Sequence, residues 1–115
     1  MKITNITKNS VIAERADMAD SFFSRMIGLL NRNKLLEGEG LVITKCQSIH
    51  MFFMRFAIDC IFTDKTNTVI GLVKGIKPNR LSRIYPKASY VVELPTGVID
   101  QSSTALGDRI EITGR

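Results

Sequence analysis

The chain of 115 residues has the length of one domain, and its 44% apolar and 23% charged residues exclude disordered, collagen-like and coiled-coil proteins. Sixteen basic residues against 11 acidic ones give a net charge of +5, which makes an anionic partner worth testing without identifying it. Two cysteines are too few for a disulfide framework, and with one histidine they cannot supply the four ligands of a structural zinc site.

The first ten residues are polar and contain no apolar stretch typical of a secretory signal, which predicts a cytoplasmic protein. The most apolar region, Ile49 to Phe62, is interrupted by His50, Arg55 and Asp59. It therefore lacks the roughly 18 uninterrupted apolar residues of a membrane span. We expect no membrane partner and, for so small a β-rich chain with exposed strand edges, a monomer or a homodimer.

The N-terminal part of the chain predicts two strands followed by a helix. Segments with β-branched residues at Lys2 to Thr7 and Ser10 to Glu14 predict a first hairpin. From Asp20 onward, apolar residues recur at intervals of three and four, and this predicts an amphipathic helix that ends between Leu30 and Asn33. Asp20 or Ser21 is placed to cap its first turn.

The remainder of the chain predicts five further strands, of which the second and third are joined by a polar turn and should form a hairpin. They are Leu41 to Thr44, Ala57 to Thr63, Thr68 to Lys74, Ser89 to Leu94 and Arg109 to Thr113. No internal repeat or linker is present. The predicted fold class is mainly β (α+β): one domain over residues 1–115, a compact antiparallel β sandwich or barrel with the amphipathic helix packed on it.

The positive charge is concentrated in one region. Between Lys65 and Val92 the sequence has six basic residues and no acidic one, so this region carries +6 and the rest of the chain −1. Residues 74–87, here called the basic connection, contain two prolines and are predicted to be irregular. One interpretation is a solvated loop. The more specific interpretation is a flap that covers a small anionic molecule, whose phosphate or carboxylate group is bound by Arg80 or Arg83.

Nucleic-acid binding through the basic connection is a weaker interpretation. Few aromatic residues accompany its cations, and neither a recognition helix nor an RNA-binding aromatic signature is present. The cations concerned are Lys77, Arg80, Arg83 and Lys87.

Residues 46–59, here called the central segment, contain the single histidine, one cysteine and two methionines. Cys46, His50 and Met54 are four residues apart, which stacks them on one face of a helix but separates them by roughly 13 Å on a strand. Their chemistry suits copper, but the spacing on a strand and the lack of helix caps favour core packing. The same distance argues against Cys46 as a nucleophile with His50 as its base. We therefore predict no metal and no cofactor.

Two carboxylates, Asp59 and Glu93, interrupt otherwise apolar strands. Polar groups in such positions must be hydrogen-bonded or paired if they are buried. They are candidates for the acid/base pair of a hydrolase. Arg25 and Arg55 are available as counter-ions, however, and structural ion pairs are the favoured interpretation.

The leading functional hypothesis is a small ligand-binding or interaction domain with the basic connection as its rim. An enzyme, either a hydrolase that uses Asp59 and Glu93 or a thiol enzyme that uses Cys46, is the alternative. The predicted ligand-binding residues are Arg25, His50, Met54, Arg55, Asp59, Glu93 and Arg80.

Taken in order, the motifs of the chain resemble the family catalogued as domain of unknown function 192. The resemblance covers nearly the whole chain and is specific as a set. It implies a compact, mainly antiparallel β sandwich or barrel with one helix packed on it, and it implies no activity. The matching residues are Arg25, Gly28-Leu29-Leu30, Arg32, Gly40-Leu41, His50, Phe53-Met54, Ile58-Asp59, Phe62, Glu93-Leu94-Pro95-Thr96-Gly97 and Gly107-Asp108.

Overall fold

The protein is described by a computed structural model that covers residues 1–20, 34–52 and 54–114. Within these ranges the chain forms eight strands and one short helix. They are β1 (Lys2–Asn5), β2 (Ser10–Ala13), β3 (Arg15–Ala19), β4 (Glu39–Thr44), β5 (Ile58–Thr63), β6 (Val69–Ile76), β7 (Tyr90–Leu94), α1 (Val98–Gln101) and β8 (Ile110–Thr113).

The strands form two sheets. The smaller sheet has the order β2-β1-β8, and the larger has the order β3-β4-β7-β5-β6. The strand pairs are antiparallel except for β3 and β4, which run parallel. The predicted mainly β class, with largely antiparallel pairing, is confirmed.

The two faces of the larger sheet pack against different partners. Ile61 and Val92 lie on the face that packs against the smaller sheet, where they share a buried cluster with Ile3 and Ile110. This cluster makes the fold a β sandwich. The opposite face is covered by the central segment and the basic connection, whose apolar side chains pack on strand residues such as Phe62. Any site between these two segments is therefore supported by the larger sheet.

Both predicted hairpins are present, since β1 pairs with β2 and β5 with β6. The strands predicted around β4, β7 and β8 are also confirmed. The sequence did not predict β3 or α1. The predicted amphipathic helix, including Arg25 and the motif around Gly28, lies outside the described residues except for Asp20. Within the described ranges, no helix is both long and apolar enough to cross a membrane.

A buried carboxylate ties the end of the chain to its beginning. Asp108 is 5% exposed and accepts hydrogen bonds from the Asn5 amide at 2.9 Å, the Ala105 backbone N–H at 2.9 Å and the Lys8 ammonium at 2.8 Å. Burial on its own would raise the pKa of Asp108. The hydrogen bonds from Lys8, Asn5 and Ala105 outweigh it and hold the pKa below its ordinary value of 3.8.

Asp108→Asn is expected to destabilise the protein at neutral pH by about 2 kcal/mol, because one acceptor oxygen is replaced by a donor that faces other donors. Since the folded-state pKa of Asp108 is depressed, its stabilisation is full above about pH 4 and is lost as the pH falls through the folded-state value. Urea unfolding of both proteins should therefore show a stability difference that is constant from neutral pH to about pH 4 and shrinks as the pH falls further.

The matched control is Asp17→Asn, which removes an exposed carboxylate of β3 and corrects for the change in net charge. A difference between wild type and Asp108→Asn that stays constant as the pH falls below about 4 would contradict the role given to this carboxylate.

Candidate functional site

The central segment and the basic connection run side by side. The Met51 N–H donates to the Arg80 carbonyl at 2.8 Å, and the Ser82 N–H donates to the Ile49 carbonyl at 2.8 Å. Further along, the Tyr85 N–H donates to the Gln47 carbonyl at 2.8 Å. The predicted irregular connection is thus fixed at three points, and it lies against the segment that the sequence singled out.

A tight turn brings the basic connection back along the central segment. The Arg80 N–H donates to the Lys77 carbonyl at 3.2 Å, with Pro78 and Asn79 between them. Asn79 has a φ of 66°. Proline pre-sets the first central position of such a turn, and asparagine tolerates the positive φ of the second, which makes this a type II turn.

Further along the connection, the Tyr85 ring packs against the larger sheet. It stacks on Phe62 of β5 with ring centroids 4.3 Å apart. It also lies directly above Gly71 of β6, where a Cβ atom would be only 2.3 Å from the ring carbon Cε1. The guanidinium carbon of Arg83 lies 5.2 Å from the centroid of the Tyr85 ring, which is within cation–π range. Gly71 therefore provides the space in which Tyr85 is held.

A cleft opens beside this ring. Its volume is about 280 Å³, close to the lower end for small-molecule sites. Its lining is Ile70, Arg83, Tyr85, Pro86 and Lys87. Among the residues that the structure describes, the lining thus combines apolar side chains with two cations and includes no carboxylate.

A second cleft lies next to the first, because Lys87 lines both. It has a volume of about 400 Å³ and is also lined by Asp64, Lys65, Thr66 and Ser89. Thr66 and Thr68 donate to the Asp64 carboxylate and lower the pKa of Asp64. This cleft is more polar, and its carboxylate makes it the less favourable of the two for an anion.

The structure places Asp59 and Glu93 on opposite faces of the larger sheet. In the β5–β7 register, Glu93 lies opposite Cys60 and Asp59 lies opposite Leu94. Paired residues share a face, whereas neighbours along a strand point to opposite faces. The two carboxylates therefore cannot act on the same bond, and the hydrolase hypothesis loses its acid/base pair.

Asp59 is held by the backbone. Its side chain accepts hydrogen bonds from the N–H groups of Gly75 at 2.8 Å, Gly97 at 3.1 Å and Ile99 at 3.0 Å. Asp59 is only 2% exposed. It joins β5 to the end of β6 and to the turn before α1, which is a structural arrangement and differs from the ion pair with Arg25 or Arg55 that the sequence favoured.

The remaining predicted site residues that the structure describes lie in different environments. His50 is half-buried and pairs with Leu81 of the basic connection, which places it next to Arg80. Met54 is buried in the core, whereas Arg55 and Arg80 are exposed. Glu93 is fully buried, and Arg25 lies outside the described residues.

The structure shows the environment of Cys46 and of the residues considered as metal ligands. Cys46 is 8% exposed, and its thiol donates to the Ser48 carbonyl at 3.0 Å. Within residues 1–20, 34–52 and 54–114, no group of three histidine, cysteine, aspartate or glutamate side chains could hold a metal ion. The described part of the central segment is not helical, so Cys46, His50 and Met54 are not stacked on one helix face.

Sequence reasoning missed three of the residues that line the first cleft: Ile70, Tyr85 and Pro86. A signal for Tyr85 was present. Gly71 lies inside a predicted strand, and a glycine there often marks the close approach of another group. The sequence alone does not say which residue approaches.

Comparison with known proteins identifies the family. The family profile of domain of unknown function 192, described as Uncharacterized ACR, matches residues 3–112. The chain belongs to this family. The resemblance predicted from the ordered motifs is therefore confirmed over nearly the whole chain.

Relatives are found in Thermococcus and Pyrococcus species, and the first of them is longer than this chain. A UPF0127 protein of Thermococcus sibiricus is 39% identical over 113 residues, which cover 95% of this chain and 73% of that protein. A UPF0127 protein of Pyrococcus furiosus is 36% identical over 110 residues, which cover 93% of this chain and 94% of that protein.

A solved structure has the same fold. A protein of unknown function from Novosphingobium aromaticivorans matches with a TM-score of 0.80 and 19% sequence identity, covering 96% of this chain and 82% of that chain. At this identity, the likeness shows the fold alone.

Proposed function

We propose that this protein is a small ligand-binding domain that takes an anion with an apolar body in the cleft beside Tyr85. The observation that supports the proposal is the lining of this cleft, in which Ile70, Tyr85 and Pro86 are joined by the cations Arg83 and Lys87. Small-molecule sites typically combine an apolar lining with a few placed polar groups. Here both charged groups are positive, so a carboxylate or phosphate on the ligand is favoured.

The surroundings of the cleft support the choice of an anion. No acidic residue occurs between Lys65 and Val92, so the basic connection offers the ligand charges of one sign. Arg83 is already placed over the Tyr85 ring, and guanidinium groups bind carboxylate and phosphate through paired donors. The ring itself is fixed between Phe62 and Gly71, which lowers the entropy lost on binding.

Phenyl phosphate and benzoate are suitable probes, with benzamide as the neutral partner of matched shape. Isothermal titration should show binding of both anions, and weaker or undetectable binding of benzamide. Arg83→Gln and Lys87→Gln should each weaken anion binding by about tenfold, because each removes one charge-assisted hydrogen bond. Tyr85→Ala should abolish binding.

Lys2→Gln, which removes an exposed lysine of the smaller sheet, should leave binding unchanged. Equal binding of benzamide and benzoate would remove the role of charge. If neither anion binds, and a polynucleotide binds with the same dependence on Arg83 and Lys87, nucleic acid is the partner and the small-ligand proposal fails.

A further inference from the structure

Beyond this proposed function, the basic connection carries a second surface with different residues. Leu81 is 66% exposed and Ile84 is 63% exposed, and both lie on the connection itself. Phe52 of the central segment is 42% exposed, and its ring lies 4.9 Å from that of His50, the residue that pairs with Leu81. These three residues, Phe52, Leu81 and Ile84, are here called the apolar tip.

The backbone around the apolar tip is anchored. Hydrogen bonds at Arg80, Ser82 and Tyr85 tie the connection to the central segment on both sides of Leu81 and Ile84. The two side chains therefore cannot turn into the core without breaking main-chain hydrogen bonds. Large apolar side chains held in water in this way indicate a surface that contacts something else.

The charged residues that flank the apolar tip in the sequence are all basic. Lys77 and Arg80 precede Leu81, and Arg83 lies between Leu81 and Ile84. Neither the basic connection nor residues 45–58 contain an acidic residue. A second copy of this surface would be repelled, because two positive surfaces would be brought together.

The shape of the surface also bears on the class of partner that it binds. A peptide ligand typically lies in a groove or adds to a strand edge, whereas Leu81 and Ile84 are exposed side chains of an irregular connection. Exposed apolar side chains flanked by lysine and arginine suit a bilayer with anionic headgroups, which accepts the apolar groups at its boundary and attracts the cations.

We propose that the apolar tip and its flanking cations Lys77 and Arg80 dock this domain on an anionic membrane surface. Docking here is peripheral, with Leu81 and Ile84 entering the headgroup boundary. This revises the expectation of no membrane partner, which rested on the absence of a spanning segment. The inference is independent of the small-ligand proposal, because the cleft is lined by other side chains.

The chain contains no tryptophan, so a single introduced tryptophan reports its own surroundings. Leu81→Trp and Ile84→Trp should show blue-shifted emission, and quenching by brominated acyl chains, when vesicles of phosphatidylcholine and phosphatidylserine are added. Leu106→Trp is the matched control, because Leu106 is 65% exposed and lies outside the proposed surface. It should show no response, and vesicles of phosphatidylcholine alone should produce little response at any site.

Vesicle flotation measures the contribution of each group. Leu81→Ser and Ile84→Ser should each lower partitioning by about tenfold, and Lys77→Gln and Arg80→Gln by about fivefold. Leu106→Ser and Lys2→Gln should leave it unchanged. Phenyl phosphate binding by Leu81→Ser should equal that of wild type, so the two proposals can fail separately.

Three results would overturn the membrane proposal. In the first, tryptophan at positions 81 and 84 stays solvent-exposed with phosphatidylserine vesicles. In the second, position 106 responds equally. In the third, polyglutamate binds in a manner that depends on Leu81 while vesicles do not, which would make an acidic polypeptide the partner.

Discussion

Asp59→Asn is expected to lower the free energy of unfolding by about 3 kcal/mol, although the two side chains have nearly the same shape. Both carboxylate oxygens of Asp59 accept hydrogen bonds, one from Gly75 and the other from Gly97 and Ile99. Asparagine has one acceptor oxygen, so its amide nitrogen must face at least one backbone N–H. That N–H then loses its hydrogen-bond partner in a partly buried position.

Two of the donors of this cluster depend on glycine. Gly75 has a φ of 61° and Gly97 a φ of 95°, a region that residues with a side chain rarely adopt. Their N–H groups are aimed at Asp59 by these conformations. The cluster therefore joins one acidic residue to two glycines that are distant in the sequence.

Urea unfolding at neutral pH measures the effect, and Asp100→Asn is the matched control. Asp100 belongs to the same region, where its exposed carboxylate pairs with the exposed Lys74 at 2.7 Å. Exposed pairs of this kind contribute little to stability, so Asp100→Asn should be nearly neutral. Equal stability of wild type and Asp59→Asn would show that the carboxylate is not needed by the backbone and would return Asp59 to the list of functional candidates.

The same cluster explains part of the family resemblance. Two motifs of the family are connected in the structure by the hydrogen bond between Asp59 and Gly97. These motifs are Ile58-Asp59 and Leu94-Pro95-Thr96-Gly97. The closing Gly107-Asp108 motif ends in the carboxylate that is bonded to Asn5 and Lys8. These motif residues hold the sandwich together, so they identify the fold more directly than the function.

The strands could be predicted because each is a local pattern. Alternation along β5 places Asp59 on the same face as Ile61, and alternation along β7 places Glu93 on the same face as Val91, in agreement with the two buried clusters. Whether the two carboxylates share a face of the sheet is not a local property. It depends on the register between β5 and β7, which pairs Asp59 with Leu94. Register is set by contacts between distant residues, and no local pattern shows that the carboxylates face apart.

The elements that were missed lack a local signal. β3 contains no β-branched residue, and it is a strand because it pairs in parallel with β4, which is a tertiary effect. α1 has four residues and begins after Gly97 without a side-chain cap, so it is too short to show helical periodicity. The backbone donors around Asp59 are equally invisible, because every residue except proline has an N–H group.

The clearest test of how the candidate site is built is the substitution of Gly71. Gly71→Ala is expected to lower the free energy of unfolding by about 2 kcal/mol, since a Cβ atom at 2.3 Å from the Tyr85 ring forces that ring off Phe62. The backbone of Gly71 is not itself the reason, because its φ is not positive. The same substitution should also remove binding of phenyl phosphate, because Tyr85 lines the cleft.

A double-mutant cycle with Tyr85→Ala separates the clash from any other effect of Gly71. In the absence of the ring, Gly71→Ala should stabilise the strand by about 0.5 kcal/mol, because alanine loses less backbone entropy on folding than glycine. The effect of one substitution thus changes sign with the residue at position 85. Equal destabilisation by Gly71→Ala in wild type and in Tyr85→Ala would show that the Tyr85 ring is not the reason for glycine at position 71. The cleft would then be positioned by the hydrogen bonds of the basic connection alone.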